Sequence, residues 1–256
     1  MGSETKDRFS QSPDSYLASH HIIPYLCHAL TSLYAIKDSD PKLQPFRYLS
    51  DYFARVSSGQ HVIHQDYSYT SVTPHNRASF VKLFCTCYKT IGNHGDLLTA
   101  KEYHALIQLL CPDFPFNIVQ SAARIILMDD AISDCLMAFQ DFLYAFQVQF
   151  CYNEFLNACR ELYLSLSSEK CGNTTPRLEG VESSKFLEGI TALISNNSYH
   201  HPSVRVIHRI LSKSQKASFY TYLLGIANSD TINSSIGVLP KKSQVLDNEN
   251  KSNKSE

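Results

Sequence analysis

The sequence predicts an all-α protein, and three observations support this fold class. Apolar residues recur at steps of three and four along most of the chain, which is the period of one face of a helix. Prolines stand where the periodic segments begin or end. Helix-capping residues precede two of these segments, and no internal repeat of fixed period is present. We therefore expect a helical protein that is not built from repeats.

Residues 16–57 form the first unit, which is predicted to be a hairpin of two amphipathic helices. Pro24 fits the first turn of the first helix, and Asp40-Pro41 and Pro45 separate the two helices. About forty residues with two apolar faces cannot bury both faces alone. We expect seven apolar residues to bury against a second hairpin, either another copy of this one or a similar module in a partner subunit. These candidate protein-binding residues are Ile23, Leu26, Leu30, Leu33, Phe46, Leu49 and Phe53.

The order of the prolines and the spacing of the apolar residues in this hairpin resemble the dimerisation/docking helix pair of the regulatory subunit of cyclic-AMP-dependent kinase. The resemblance implies an antiparallel four-helix bundle whose groove receives an amphipathic helix from a partner. The alternative is a plain helical hairpin that packs on the rest of the protein. Periodicity alone leaves both interpretations open.

Residues 58–167 are predicted to form a helical core. Residues 62–72 suit a short strand or an ordered loop equally well. Thr73 and Pro74 are typical of an N-cap and a first helical residue, and Thr99 with Glu102 forms a capping-box pattern. Further helices are expected at about residues 118–128 and 139–166. The last of these predictions depends on a long stripe of phenylalanines and other apolar residues.

Two places in this core resemble degenerate EF-hand loops. In the first, Leu98 and Glu102 fall on the eighth and twelfth loop positions, but Ile91 occupies the first ligand position. In the second, Asp130 and Asp134 fall on the first and fifth positions and Met137 on the eighth. Ile132 occupies the third ligand position and Asp141 the twelfth, where its side chain is too short to bind bidentately. Leu97-Leu98 and Leu136-Met137 are expected to pair as a short ribbon. We expect no calcium site tighter than roughly millimolar.

The remaining segments complete the predicted organisation. Residues 1–15 and 241–256 are expected to be disordered because they lack an apolar period. Residues 168–177 are predicted to be a polar linker, and residues 178–240 a C-terminal helical region.

Composition and motifs argue against several function classes. The net charge of −1 gives no electrostatic footprint for nucleic acid. No segment approaches the length of a membrane span, and the start of the chain lacks a secretory signal. The eight cysteines therefore suggest a reducing, cytosolic compartment. Phosphate-binding, zinc-protease and serine-hydrolase motifs are absent from the sequence. We expect no catalytic residues, no metal site and no cofactor.

Several stretches together resemble one known family, that of the centriolar satellite-associated tubulin polyglutamylase complex regulators. The stretches are TPHNR (73–77), NHGDLLTAKEYHALIQLLCPDFP (93–115), AARIILMDDA (122–131), DCLMAFQDFLYAFQVQF (134–150), LEGVE (178–182) and GVLP (237–240).

The resemblance implies a non-catalytic adaptor or regulatory subunit that docks subunits of the tubulin polyglutamylase complex and controls tubulin polyglutamylation. Its expected location is the cytoplasm, at the cytoskeleton, the centrosome and centriolar satellites. Its expected partners are subunits of that complex, centriolar satellite proteins and microtubules, whether or not tubulin is contacted directly. Two alternatives are a helix-docking anchoring module of a signalling or axonemal complex and a calcium sensor. The broken loops argue against the calcium sensor.

Overall fold

A computed structural model describes residues 12–129, 135–168 and 180–242. Helices dominate these residues, as predicted. The helices are α1 (Pro13–Ser19), α2 (Ile22–Ser39), α3 (Pro45–Ser58), α4 (Tyr67–Thr70), α5 (Pro74–His94), α6 (Ala100–Gln108), α7 (Phe116–Leu127), α8 (Phe139–Cys151), α9 (Asn153–Ser168), α10 (Ser183–Asn196), α11 (Val204–Leu211), α12 (Phe219–Ala227) and α13 (Asp230–Ile236).

The strands in the described residues form two short antiparallel ribbons. Strand β1 (Leu97–Leu98) pairs with β2 (Met137–Ala138), and β3 (Val181–Glu182) pairs with β4 (Lys216–Ala217). The first ribbon was predicted, except that its second strand was expected at Leu136-Met137, one residue before the observed strand. The second ribbon was not predicted. Each strand is followed directly, or after one residue, by a helix, so the ribbons tie successive helix pairs together at one end.

Helix capping follows the sequence closely. The Thr73 hydroxyl accepts the Asn76 N–H at 3.0 Å, and Thr99 and Glu102 form the predicted capping box. Residues 62–72 contain no strand; a turn and the short helix α4 occupy this region. At the N-terminus, α1 overlaps the last residues of the segment that was predicted to be disordered, and Ser12 caps it. Of the predicted disordered tail, Lys241 and Lys242 are described, and Lys242 contacts Asp141 and Asp230. The rest of the tail and most of the predicted linker lie outside the described residues.

Helix α8 is the centre of the protein. Every residue from Phe142 to Cys151 is buried, and α8 packs against α5, α7, α9 and α12. The Phe142, Phe146 and Phe150 rings stack in sequence, with centroids 5.6 and 5.7 Å apart. The buried residues around α8 form one connected cluster, whose members come from the part of the chain between Val62 and Leu239. Side chains from the predicted core and from the predicted C-terminal region therefore share one interior.

The long helix predicted over residues 139–166 is interrupted at Tyr152, whose φ of −119° and ψ of 24° are not helical. The reason is that other side chains bind the carbonyls before the break. Arg77 donates to the Phe150 carbonyl at 3.1 Å, and His200 lies 3.2 Å from the Cys151 carbonyl. In a continuous helix these carbonyls would accept the amides four residues later. The prediction of one helix was wrong, although its two parts were both recognised.

Candidate protein-docking site

The hairpin of α2 and α3 has one face turned toward the core. Tyr25, Ala29 and Tyr52 are buried there and form a small cluster separate from the main interior. Four half-buried side chains pack around this cluster: Tyr48, Leu49, Phe53 and Val56. In α2 the buried residues lie four apart, at the spacing of one helical face. That face differs from the stripe of leucines that the sequence analysis selected.

The seven predicted binding residues divide into two groups. Ile23, Leu26, Leu30 and Phe46 are exposed, while Leu33, Leu49 and Phe53 are half-buried. Phe46 is 89% exposed and Leu30 is 56% exposed. Four of the seven residues belong to α2, namely Ile23, Leu26, Leu30 and Leu33, and their spacing places them on one side of that helix. Large apolar side chains concentrated on one element are typical of a surface that binds another protein. The described part of the chain thus leaves the four exposed members of the predicted set uncovered, whereas Leu49 and Phe53 pack against the inner cluster.

A polar and aromatic network joins the inner face of the hairpin to the core, and the sequence analysis missed it. Asn76 is its centre: its Oδ1 atom accepts hydrogen bonds from the Tyr25 hydroxyl at 2.7 Å and from the Thr73 hydroxyl at 2.9 Å. The His61 Nε2 atom lies 2.8 Å from the same oxygen and therefore donates to it. The Asn76 amide donates to the Tyr69 carbonyl at 2.7 Å. Asn76 therefore orients groups from several segments.

A second part of the network involves α3 and α4. The Tyr52 and Tyr69 hydroxyls are 2.8 Å apart, and His28 Nδ1 is 3.0 Å from the Tyr52 hydroxyl. The His28 and Tyr69 rings stack with centroids 3.8 Å apart. His75 donates through Nε2 to the Val56 carbonyl at 2.8 Å. The hairpin is thus fixed to the core by oriented contacts, which restrict its direction more than apolar packing alone would.

The groups of this network favour their uncharged forms. Burial lowers the pKa of His61, and a smaller opposing effect comes from its hydrogen bond to Asn76. Burial also lowers the pKa of His28 and raises the pKa of Tyr25 and of Tyr52. Water is largely excluded from these groups, so a charge on any of them is unfavourable.

Glu102 and Asp141, from the two segments that were compared with EF-hand loops, make other contacts. The Glu102 carboxylate accepts the Thr99 N–H at 2.7 Å within the capping box, and the Asp141 carboxylate lies 2.9 Å from the Lys242 ammonium. Asp130, Ile132 and Asp134 lie outside the described residues. Within the described ranges, no group of three or more His, Cys, Asp or Glu residues is placed to hold a metal ion.

The buried cysteine thiols contribute packing rather than a reactive site. The seven described cysteines are all free, and burial raises the pKa of Cys151 and of Cys159 to about 12. Such thiols stay protonated and are poor nucleophiles.

None of the described helices is both long enough and apolar enough to cross a membrane.

Comparison with known proteins finds relatives that match nearly the whole chain and a family model that matches its N-terminal part. The family model described as the CSTPP1 N-terminal domain matches residues 10–59, which include the whole hairpin. The chain is 40% identical over 259 residues to Centriolar satellite-associated tubulin polyglutamylase complex regulator 1 of Danio rerio, covering 94% of this chain and 78% of the relative. The Mus musculus protein of the same name is 40% identical, and the Homo sapiens protein 39%; each alignment covers 91% of this chain and 76% of the relative.

No solved structure matches this chain significantly. The identity and coverage of the sequence matches are nevertheless high enough to assign the family. The chain belongs to the family of centriolar satellite-associated tubulin polyglutamylase complex regulators.

Proposed function

We propose that this protein is a non-catalytic adaptor and regulatory subunit of the tubulin polyglutamylase complex, acting at centriolar satellites and microtubules. The observation that carries the proposal is the exposure of large apolar side chains on the α2–α3 hairpin, Leu30 and Phe46 among them, while Tyr25 and Tyr52 are buried and hydrogen-bonded to the core. The names of the relatives, which describe regulators of that complex, supply the identity of the partner.

The occupant of the outer face is an amphipathic helical segment from another subunit of the complex. An apolar helix pair binds such a segment through residues spaced like Ile23, Leu26 and Leu30, which lie three and four apart. Phe46 suits the role of an anchor, because a large aromatic ring that moves from water into a partner's pocket contributes strongly to binding. A second copy of this hairpin is the competing occupant.

Regulation follows from the way the hairpin is held. The Tyr25–Asn76 and Tyr52–Tyr69 contacts fix the hairpin relative to the core. A partner bound to the outer face would therefore hold the whole helical core in one orientation beside it. This arrangement suits a subunit that positions other subunits and adds no chemistry of its own.

We also infer that the core derives from EF-hand-like units that have lost their calcium ligands. The support is the ribbon register, which places Leu98 opposite Met137, each at the predicted eighth loop position. The second ribbon, between Val181–Glu182 and Lys216–Ala217, repeats the arrangement in the C-terminal half. The core then serves as a rigid scaffold rather than as a calcium-driven switch.

The experiment is a reconstitution with the purified subunits of the tubulin polyglutamylase complex. Leu30→Asp puts a charge on the outer face, and Leu136→Asp is the matched control, since Leu136 is 58% exposed and lies far along the chain from the hairpin. Truncation of Leu30 to Ala in a fully buried interface costs about 2–5 kcal/mol, and the aspartate costs more because its charge is unpaired.

We expect Leu30→Asp to abolish co-precipitation of the subunits while the circular dichroism spectrum and the melting temperature stay unchanged. Leu136→Asp should keep both binding and fold. Loss of a homodimer in light scattering, with subunit binding intact, would identify a second copy as the occupant instead. Recovery of kinase-type or axonemal helices, with no polyglutamylase subunit bound, would favour the anchoring function.

A further inference from the structure

The C-terminal half of the chain contains a long segment without acidic residues. Between Glu188 and Asp230 the sequence has four Lys or Arg residues and three histidines but neither Asp nor Glu. The chain as a whole carries a net charge of −1, so its charges are segregated rather than evenly mixed. Segregated positive charge raises the local concentration of anionic partners even when net charge does not.

Helix α11 carries two of these positive charges on its exposed side. Its buried face consists of Val206, Ile207 and Leu211, which pack into the main interior. On the outside, Arg205 and Arg209 are exposed one turn apart. Lys213 continues the series in the turn after the helix, and we name Arg205, Arg209 and Lys213 the cationic stripe.

The cationic stripe is not neutralised within the described part of the chain. No carboxylate there forms an ion pair with any of its three members, and Arg209 donates a hydrogen bond to the Thr231 hydroxyl at 3.2 Å. An intramolecular salt-bridge network would have satisfied these groups. Their guanidinium and ammonium donors face solvent and are available to an external anion.

Grooves follow the helix on both sides. The groove between α11 and α12 has a volume of about 510 Å³, with Arg209 and Lys213 among its lining residues. The only carboxylate that lines it belongs to Asp230, which already accepts the Lys242 N–H at 2.9 Å. The groove on the other side, beside α10, has a volume of about 580 Å³, but no member of the cationic stripe lines it and the Glu182 carboxylate does. The groove between α11 and α12 is therefore the one in which an extended chain can lie beside the cationic stripe without displacing a helix.

The spacing of the charges suits an extended acidic peptide. Residues four apart in a helix are separated by about 6 Å along its axis. Alternate side chains of an extended peptide point the same way and repeat at about 7 Å. Every second carboxylate of a glutamate-rich chain therefore falls near one cation of the stripe, and Arg205 and Arg209 can each bind a carboxylate through two N–H donors.

We propose that the cationic stripe of α11 is a binding site for an extended, glutamate-rich peptide. The choice of glutamate among acidic peptides rests on the function proposed above, since glutamate chains are what a tubulin polyglutamylase produces. Nucleic acid suits the surface less well. Among the residues that line the groove beside the cationic stripe, Tyr222 is the aromatic one, and it is buried, so it offers no exposed ring on which bases could stack.

The test measures the fluorescence anisotropy of a labelled peptide of about ten glutamates, longer than the stripe, titrated with the purified full chain. The variant is Arg205→Glu/Arg209→Glu/Lys213→Glu. The matched control, Lys42→Glu/Lys82→Glu/Lys89→Glu, changes the net charge equally at exposed positions elsewhere. A short oligothymidylate is the second probe. Circular dichroism checks folding, and Arg205→Gln/Arg209→Gln/Lys213→Gln replaces the first variant should that one unfold.

We expect the stripe variant to bind the glutamate peptide at least about tenfold more weakly, the control to bind within about twofold of the unmodified chain, and added salt to weaken binding. The proposal is wrong if the unmodified chain does not bind the peptide, if both variants lose affinity equally, or if oligothymidylate binds more tightly. The Leu30→Asp chain keeps the cationic stripe and should bind the peptide normally, so this proposal and the docking proposal can fail separately.

Discussion

The Tyr25 hydroxyl donates a hydrogen bond to the Asn76 Oδ1 atom over 2.7 Å, and this contact joins the N-terminal hairpin to the core. The two residues are 51 positions apart in the chain. Because the inner face of α2 is engaged in this way, its outer face is the one left for a partner. The contact therefore helps to decide which side of the amphipathic hairpin is covered and which side stays exposed.

The first prediction concerns this contact. Tyr25→Phe removes the hydroxyl that reaches both Thr73 and Asn76 but keeps the ring, so the free energy of unfolding should fall by about 1–2 kcal/mol. Asn76 keeps its other donors. Urea unfolding measures the change, and Tyr34→Phe is the control because Tyr34 is exposed. An equal effect of both substitutions would mean that the network does not hold the hairpin.

A pH dependence follows from His61. Its pKa is lower in the folded protein than the ordinary value of 6.5, so below that pH the unfolded chain binds more protons. The stability that neutral His61 contributes is complete above about pH 6.5 and is lost as the pH falls through its folded pKa. Melting curves between pH 7.5 and about 5 should therefore shift less for His61→Gln than for the unmodified chain. An identical slope for His61→Gln and the unmodified chain would refute the assignment.

Substitution of Arg77 is expected to destabilise the protein more than substitution of its ion-pair partner Glu154. Its guanidinium donates to Glu154 at 2.6 and 2.7 Å, to the Ser71 carbonyl at 2.7 Å and to the Phe150 carbonyl. Arg77→Ala should destabilise the protein by about 2–4 kcal/mol, since buried carbonyls lose their donor. Glu154→Gln should cost less than about 1 kcal/mol because half of the Glu154 side chain is exposed. Chemical denaturation compares the two. Equal losses would show that the ion pair, and not the carbonyl contacts, is what matters.

Gly180 permits the β3–β4 ribbon to close. A Cβ atom at this position would lie 2.8 Å from the main-chain carbonyl carbon and oxygen of Ala217. Gly180→Ala should therefore lower the free energy of unfolding by about 1–3 kcal/mol, and thermal unfolding measures it. Adding Ala217→Gly should not restore stability, because the conflict is with main-chain atoms. A rescue by that second substitution would contradict the explanation.

Much of the secondary structure of this protein can be predicted from its sequence because it depends on local chemistry. Helix periods and caps depend on neighbours within a few residues, so the Thr99–Glu102 capping box and the start of α5 after Thr73 were predicted correctly. The ribbon at Leu97–Leu98 followed from the apolar residues between two helices. The outer stripe of the hairpin was visible for the same reason, since residues three and four apart share a helical face.

Only the tertiary structure decided the features that depend on contacts distant in sequence. The break at Tyr152 requires Arg77 and His200 to bind the carbonyls of α8, and neither residue is near it in the chain. The covered face of α2 was decided by Asn76, whose amide has no apolar period to reveal it. Periodicity shows which residues of one helix share a face. The hydrogen-bond partners of buried polar groups depend instead on which segments pack together in the folded protein. The sequence thus determined the helices and their exposed stripe, and the packed structure determined where the helices end and which face stays free.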